Sequence, residues 1–441
     1  MADIYENAFI TIAATRSPNS SRGCFADTDS RFIAAPVSGY SGVYVRVLTP
    51  RWPPIWAMHD SKMPEWPLLT RGWVYQELRL STRILHFGPE EVTWECASQR
   101  RCESGLNDED WAADDAYYDT QGYASWPYWR LEREPLLLWH RTVHEYSGLR
   151  LSFETDKLVA LSALTKRMEE LRVNDRYILG LWEKTLLLDL LWNYEYLPSP
   201  ELTAVFPSMN SNFPSWTWAS RENPVGWKSH LTTTLASVCV KGINYTPCGP
   251  RHMGFPSGAE IVLQAPLVES RQLVRNVRST LERLSRCQPD RGPDLLGRAS
   301  RLSSVPDHPD ANVLLEELDV EAFWNDEKVC YQHLYDGVLD EGTGATAEES
   351  LQRYFLPIGI SPPGTGDRVW AIQVQRKPGT DKFQRVGFGA VSHVMAYEAD
   401  LRDEAGRLRI DSDISVEVLR TLRGRVTAIL DRMPTQTITL V

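Results

Sequence analysis

No stretch of this 441-residue sequence is apolar for long enough to cross a bilayer. The greasiest run, residues 177–192, is interrupted by Glu183, Lys184 and Asp189, and its pattern predicts a buried amphipathic helix over 177–191. Positive charge is also scarce. Lys and Arg number 47 against 58 Asp and Glu, and the net charge of −11 argues against a general nucleic-acid or anionic-membrane binder. The seven cysteines (Cys24, Cys96, Cys102, Cys239, Cys248, Cys287, Cys330) are scattered, odd in number and never in a Cys-x-x-Cys pair. With no signal-peptide pattern at Met1, that usage favours a reducing, cytoplasmic compartment and argues against structural zinc. Cys96 and Cys102 lie close together without a histidine cluster and read as free thiols. No repeat of fixed period is present.

Metal-binding patterns are equally thin. His140 and His144 stand at i, i+4, but the glutamate of a His-Glu-x-x-His helix and a third ligand are missing, so no metal is expected. The acidic stretch 107–128, with Asp108, Glu109, Asp110, Asp114, Asp115 and Asp119, lacks the glycine and ligand spacing of an EF-hand and reads as a solvated loop.

What is present is an ordinary globular composition, 42% hydrophobic and 24% charged, over a length that predicts two or three domains. Sixteen tryptophans are spread along the chain, a load that suits either ring-stacking surfaces or large cores. Residues 8–14 read as a buried strand that the chain enters abruptly, as though a domain were cut rather than begun. Residues 17–23 form a loop, 43–48 a strand, and 52–67 a proline- and tryptophan-rich connection. A helix containing Trp73 follows, then strands at 84–87 and 92–95 around the turn Gly88-Pro89. Helices are predicted over 136–146 and 156–171, the second with Leu158, Leu161, Leu164 and Met168 on one face.

From Phe213 the pattern turns to short strands at 216–219, 235–240, 260–267, 329–335, 354–360, 369–375, 385–388 and 435–441. Residues 271–287 form a basic amphipathic segment, and 288–309 a mobile Pro/Ser/Asp/Arg-rich loop. Trp216 and Trp218 leave open a sugar-binding β domain or a hydrophobic core.

The most informative stretch is 69–96. Trp73, Gln76, Glu77 and Leu80 at i, i+3, i+4 and i+7 share one helix face, and a carboxylate on a largely apolar face must be paired or used. Arg71, Arg79 and Arg83 are its candidate ion-pair partners.

The order of short landmarks resembles the fungal heterokaryon-incompatibility (HET) domain family. They are Met1 to Ala8, Thr11 to Ala14, Ser20 to Phe25, Arg71 to Glu77, Ser81 to Phe87 and Trp94 to Cys96. The resemblance continues through Tyr146-Ser147, Asp156 to Ser162, Gly180 to Trp182 and Pro214 to Ser220, so it covers nearly the whole chain. Two strands that family members usually carry ahead of the segment matching Met1 are absent, which points to a late start codon or a shortened copy.

The resemblance implies an α/β, partial TIR-like HET domain over 1–105, a helical region over 106–200 and a β-rich region over 201–441, α+β overall. It also implies a role in vegetative incompatibility, non-self recognition and programmed cell death, with protein partners of that system and possible homo-oligomers. Some TIR relatives cleave NAD with a glutamate in a Trp-x-x-x-Glu-Leu arrangement, which Trp73, Glu77 and Leu78 reproduce. On that analogy Glu77 is the catalytic candidate and NAD the substrate. Trp73 walls the pocket beside Gln76, and Arg71 meets a phosphate. The resemblance leaves catalysis open against a non-catalytic interaction protein or remnant.

Overall fold

The computed structural model describes residues 2–25, 27–48, 66–106, 108–110, 128–194, 212–222, 224–227, 232–249, 255–269, 329–332, 353–361, 368–393 and 434–441. These residues form mixed helices and sheets divided between two compact units. The first holds Met1–Glu183, Glu222–Gly226 and Cys248–Phe255; the second holds Lys184–Arg221, Trp227–Pro247 and Pro256–Val441. Residues 106–183 therefore group with the N-terminal segment. The connection at 52–65, most of the acidic stretch and both segments across 271–309 lie outside the described residues. No helix among those described is long and apolar enough to cross a membrane.

The first unit is built on a sheet of order β1-β4-β5-β6-β7. Helix α1 (Ala2–Asn7) leads into β1 (Thr11–Ala13), and β2 (Ala35–Pro36) pairs with β3 (Tyr44–Val45) in a separate ribbon. Helix α2 (Gly72–Leu80) then delivers the chain to β4 (Arg83–Phe87), which lies parallel to β1 with Ile12 opposite Leu85. β5 (Val92–Cys96), β6 (Gln99–Cys102) and β7 (Glu109–Asp110) add antiparallel.

The expected strand over 8–14 forms only at Thr11–Ala13, and it sits at the end of the sheet rather than its centre. Ile12, on β1, is 61% exposed. The strands and turn expected over 84–95 form as the β-branched alternation indicates, with Ile84 and His86 turned inward.

After α3 (Tyr128–Leu131) comes α4 (Pro135–Ser147), whose first turn carries Pro135, where a missing N–H costs nothing. The helix expected over 156–171 divides: a 3-10 turn at Val159–Leu161 precedes α5 (Ser162–Leu171). Leu158, Leu161 and Met168 still face the core, while Leu164 is half-buried.

The helix expected over 177–191 does not form. β8 (Tyr177–Ile178) turns through Leu179 (φ 48°) and Gly180 (φ 93°) into β9 (Leu181–Trp182), and only Leu186–Asp189, α6, is helical. Two consecutive positive φ values make a tight hairpin turn. Residues 177–182 are all buried, so periodicity alone does not separate helix from hairpin there. Trp139, Tyr177 and Trp182 meet edge to face with centroids 5.4–5.9 Å apart, and Trp139 Nε1 donates to the Gly180 carbonyl at 2.8 Å.

The second unit is a nine-stranded sheet. Before it come β10 (Trp192–Tyr194) and β11 (Val225–Trp227), the latter crossing the division between units. The sheet holds β12 (Thr233–Thr234), β13 (Cys239–Pro247), β14 (Pro256–Pro266), β15 (Val268–Glu269), β16 (Val329–Gln332), β17 (Arg353–Ile360), β18 (Arg368–Arg376), β19 (Phe383–His393) and β20 (Thr435–Leu440). Their main order is β12-β17-β18-β19-β20-β14-β13.

Leu356, Ile358, Ile372, Val374 and Phe388 are buried at its centre. The guanidinium of fully buried Arg385 lies 3.4 Å from the ring centroid of Trp192, and its Nη2 donates to the Trp192 carbonyl. The expected strand over 216–219 is instead a 3-10 turn, Trp218–Ser220, capped by the Thr217 hydroxyl. Trp216 and Trp218 are fully buried, so neither ring is available to stack on a sugar.

Candidate functional site

Helix α2 begins where backbone comes closest. The Gly72 amide donates to the Arg150 carbonyl at 2.8 Å, and the Arg150 amide donates to Thr70 at 2.7 Å. A Cβ at Gly72 would lie 2.6 Å from Leu151 Cδ2, so any larger residue would require the Leu151 side chain to move. Arg71, just before it, is exposed.

The four expected site residues diverge from there. Gln76 is buried, and its Oε1 accepts the Ala163 amide at 3.4 Å, satisfying an N–H in the first turn of α5 that the helix itself leaves open. Trp73, half-buried, donates from Nε1 to Asp156 Oδ2 at 3.0 Å. Glu77 is also half-buried. Burial, then the neighbouring Glu77 carboxylate, push the pKa of Tyr5 on α1 up to about 12.

None of the three arginines expected to pair with Glu77 does so. Arg79 binds Glu145 at 2.9 Å, Arg83 lies over the Phe9 ring and donates to the Phe9 carbonyl at 3.4 Å, and Arg71 points outward. Glu77 has no ion pair among the described residues, and this leaves its charge unneutralised.

The buried carboxylate of the region is one the sequence reading did not single out. Glu145, 3% exposed, accepts from Tyr75 Oη at 2.8 Å, Arg79 Nη2 at 2.9 Å and Arg141 Nε at 2.8 Å. The only sequence signal was its i, i+4 spacing from Arg141. Nearby, Lys157 is buried, which pulls its pKa down to about 8, and its carbonyl accepts from Tyr146 Oη at 2.7 Å.

No family model, curated protein or solved structure matches this chain.

No group of three metal-ligating side chains is present among the described residues. His140 is buried, and half-buried His144 has its Nδ1 2.8 Å from the place of a Gly226 Cβ. Cys24, Cys96, Cys102, Cys239 and Cys248 are free thiols. Hydrogen bonds from Ser98, Gln99 and Trp94 outweigh the opposing effect of burial and bring the Cys96 pKa below its usual value.

His86, on β4, is 1% exposed, and its Nδ1 lies 3.1 Å from Thr15 Oγ1. Burial pulls its pKa down to about 4, against a smaller opposing pull from Glu95. The unfolded imidazole titrates near 6.5, so between about pH 6.5 and pH 4 the unfolded chain binds the extra proton. Stability contributed by neutral His86 is therefore full above pH 6.5 and is lost as pH falls, by about 3 kcal/mol at most. Urea unfolding at stepped pH should show this slope, and it should flatten in His86→Gln.

Proposed function

We propose that this protein acts in fungal heterokaryon (vegetative) incompatibility as a non-self recognition and programmed cell death effector, with Glu77 as the carboxylate of a TIR-like, NAD-cleaving site. The observation that carries the reading is the state of Glu77: half-buried and free of an arginine partner among the described residues. A salt-bridged glutamate would spend its charge on its partner. One left negative in a partly desolvated position can stabilise a developing cation.

In NAD hydrolysis the bond between ribose C1′ and the nicotinamide nitrogen breaks, and its electron pair leaves with nicotinamide. The ribose becomes oxocarbenium-like beside the carboxylate, and water adds at C1′ with loss of a proton to give ADP-ribose.

A second reading, a non-catalytic interaction protein of the same system, is favoured by the neighbours of Glu77. Trp73 and Gln76 spend their polar atoms on Asp156 and Ala163, which ties α2 to the helical layer. Induced expression in fungal cells separates the two. Loss of viability with the native chain but not with Glu77→Gln supports catalysis. Equal killing by both supports recognition, and no killing by either removes the effector role.

A further inference from the structure

β1 and β4 run parallel, so both strands present their carboxyl ends at one edge of the first unit's sheet. In sheets with parallel strands that edge is where ligands are held. The loops there are built rather than slack. The Arg16 amide donates to the Phe87 carbonyl at 3.1 Å, one step beyond the β1–β4 ladder, and the Ser17 amide donates to Ala14 at 2.9 Å. The Ser17 hydroxyl closes the following loop on the Gly23 carbonyl. Phe25 then returns to the edge, its ring 5.4 Å from that of Phe87 and at 84° to it, yet it remains 84% exposed. Across the edge, Thr28 Oγ1 donates to the Glu90 carbonyl at 3.3 Å and holds the turn after β4.

Two side chains of opposite charge sit on this frame with capacity to spare. Arg16 and Glu90 are each half-exposed, and each keeps a polar atom, Nη1 and Oε2, sheltered from solvent without a hydrogen-bond partner. Arg31 senses Glu90 electrostatically, but its guanidinium is committed to Asp29 through bonds of 3.0 and 2.8 Å. A sheltered guanidinium N–H and a sheltered carboxylate oxygen cost free energy when unsatisfied, and a ligand that supplies both complements recovers it.

We propose that this edge is a nucleotide-binding site, separate from Glu77, in which Arg16 takes a phosphate, Glu90 takes ribose hydroxyls and Phe25 stacks on the base. Each role follows from chemistry. A guanidinium matches a phosphate in shape and charge. A carboxylate accepts from vicinal hydroxyls, as acidic residues do in dinucleotide sites. An exposed phenyl ring offers a face to any base. Glu77, on α2, takes no part, so the site holds a nucleotide without cleaving it.

Equilibrium dialysis of the full chain against ADP tests this, with adenosine and 2′,3′-dideoxy-ADP as comparisons. Saturable ADP binding is expected, at least tenfold tighter than adenosine. Arg16→Gln should remove that preference for the phosphate. Glu90→Gln should remove the preference for ADP over the dideoxy analogue. Phe25→Leu, a change at an exposed ring that leaves the fold intact, should weaken all three ligands alike. Absence of saturable ADP binding by the native chain, or native-like ADP binding by Arg16→Gln and Phe25→Leu, would overturn the proposal. Binding is read without turnover, so loss of NAD cleavage in a Glu77 variant does not bear on it.

Discussion

Replacing Glu145 with alanine should destabilise the first unit by about 3–5 kcal/mol, the range for removing one partner of a buried, hydrogen-bonded ion pair. The carboxylate is 3% exposed and accepts from a phenol and two guanidinium groups at 2.8–2.9 Å. Arg79 and Arg141, whose side chains are 20% and 19% exposed, would each lose this carboxylate, and Tyr75 Oη would lose the bond it donates to it. Tyr75 and Arg79 come from α2 and Arg141 from α4, so the same change loosens the helix that carries Glu77. Urea denaturation followed by tryptophan fluorescence measures the loss, since Trp73 on α2 and Trp139 on α4 report on the two helices the pair joins. A drop under about 1 kcal/mol would place the pair with surface bridges and contradict this account.

How much of this was legible in the sequence depends on where each residue finds its partner. β4, its turn and β5 were readable because both strands and the Gly88-Pro89 link lie within a few residues of one another. α2 was readable from its spacing, but the use of its side chains was not. The partners of Trp73, Gln76, Tyr75 and Arg79 lie 66 to 87 residues along the chain, and no local pattern carries that information. Arginines near Glu77 in sequence therefore looked like its partners, yet tertiary packing sent Arg79 to Glu145 and Arg83 to Phe9.

The helix expected over 177–191 fails for another reason. Residues 177–182 are all buried and have no polar face to set their period, and the deciding feature is backbone φ. In the second unit the strands over 353–393 followed from runs of β-branched and aromatic residues, but the insertion of β20 between β19 and β14 did not. Pairing of strands far apart in sequence rests on packing of whole faces rather than on either strand alone. A fully buried Arg385 runs against composition rules and is stabilised by Trp192, a partner nearly two hundred residues away.

The free edge of β1 also follows from topology rather than pattern. Residues 8–14 read as a central strand because they are apolar, but in the described structure they end a sheet, with Ile12 exposed. Of the four candidates, Glu77 is the charged side chain carried by α2, and it has no ion pair among the described residues.

The most direct test of that role is release of nicotinamide from NAD by the purified full-length protein, followed by chromatography in parallel with Glu77→Gln. Glutamine keeps the shape but removes the negative charge. The account predicts steady nicotinamide and ADP-ribose formation by the native chain and a fall of about 100-fold or more in the variant. Equal release by both proteins, or none by the native protein at concentrations where it associates, would contradict it.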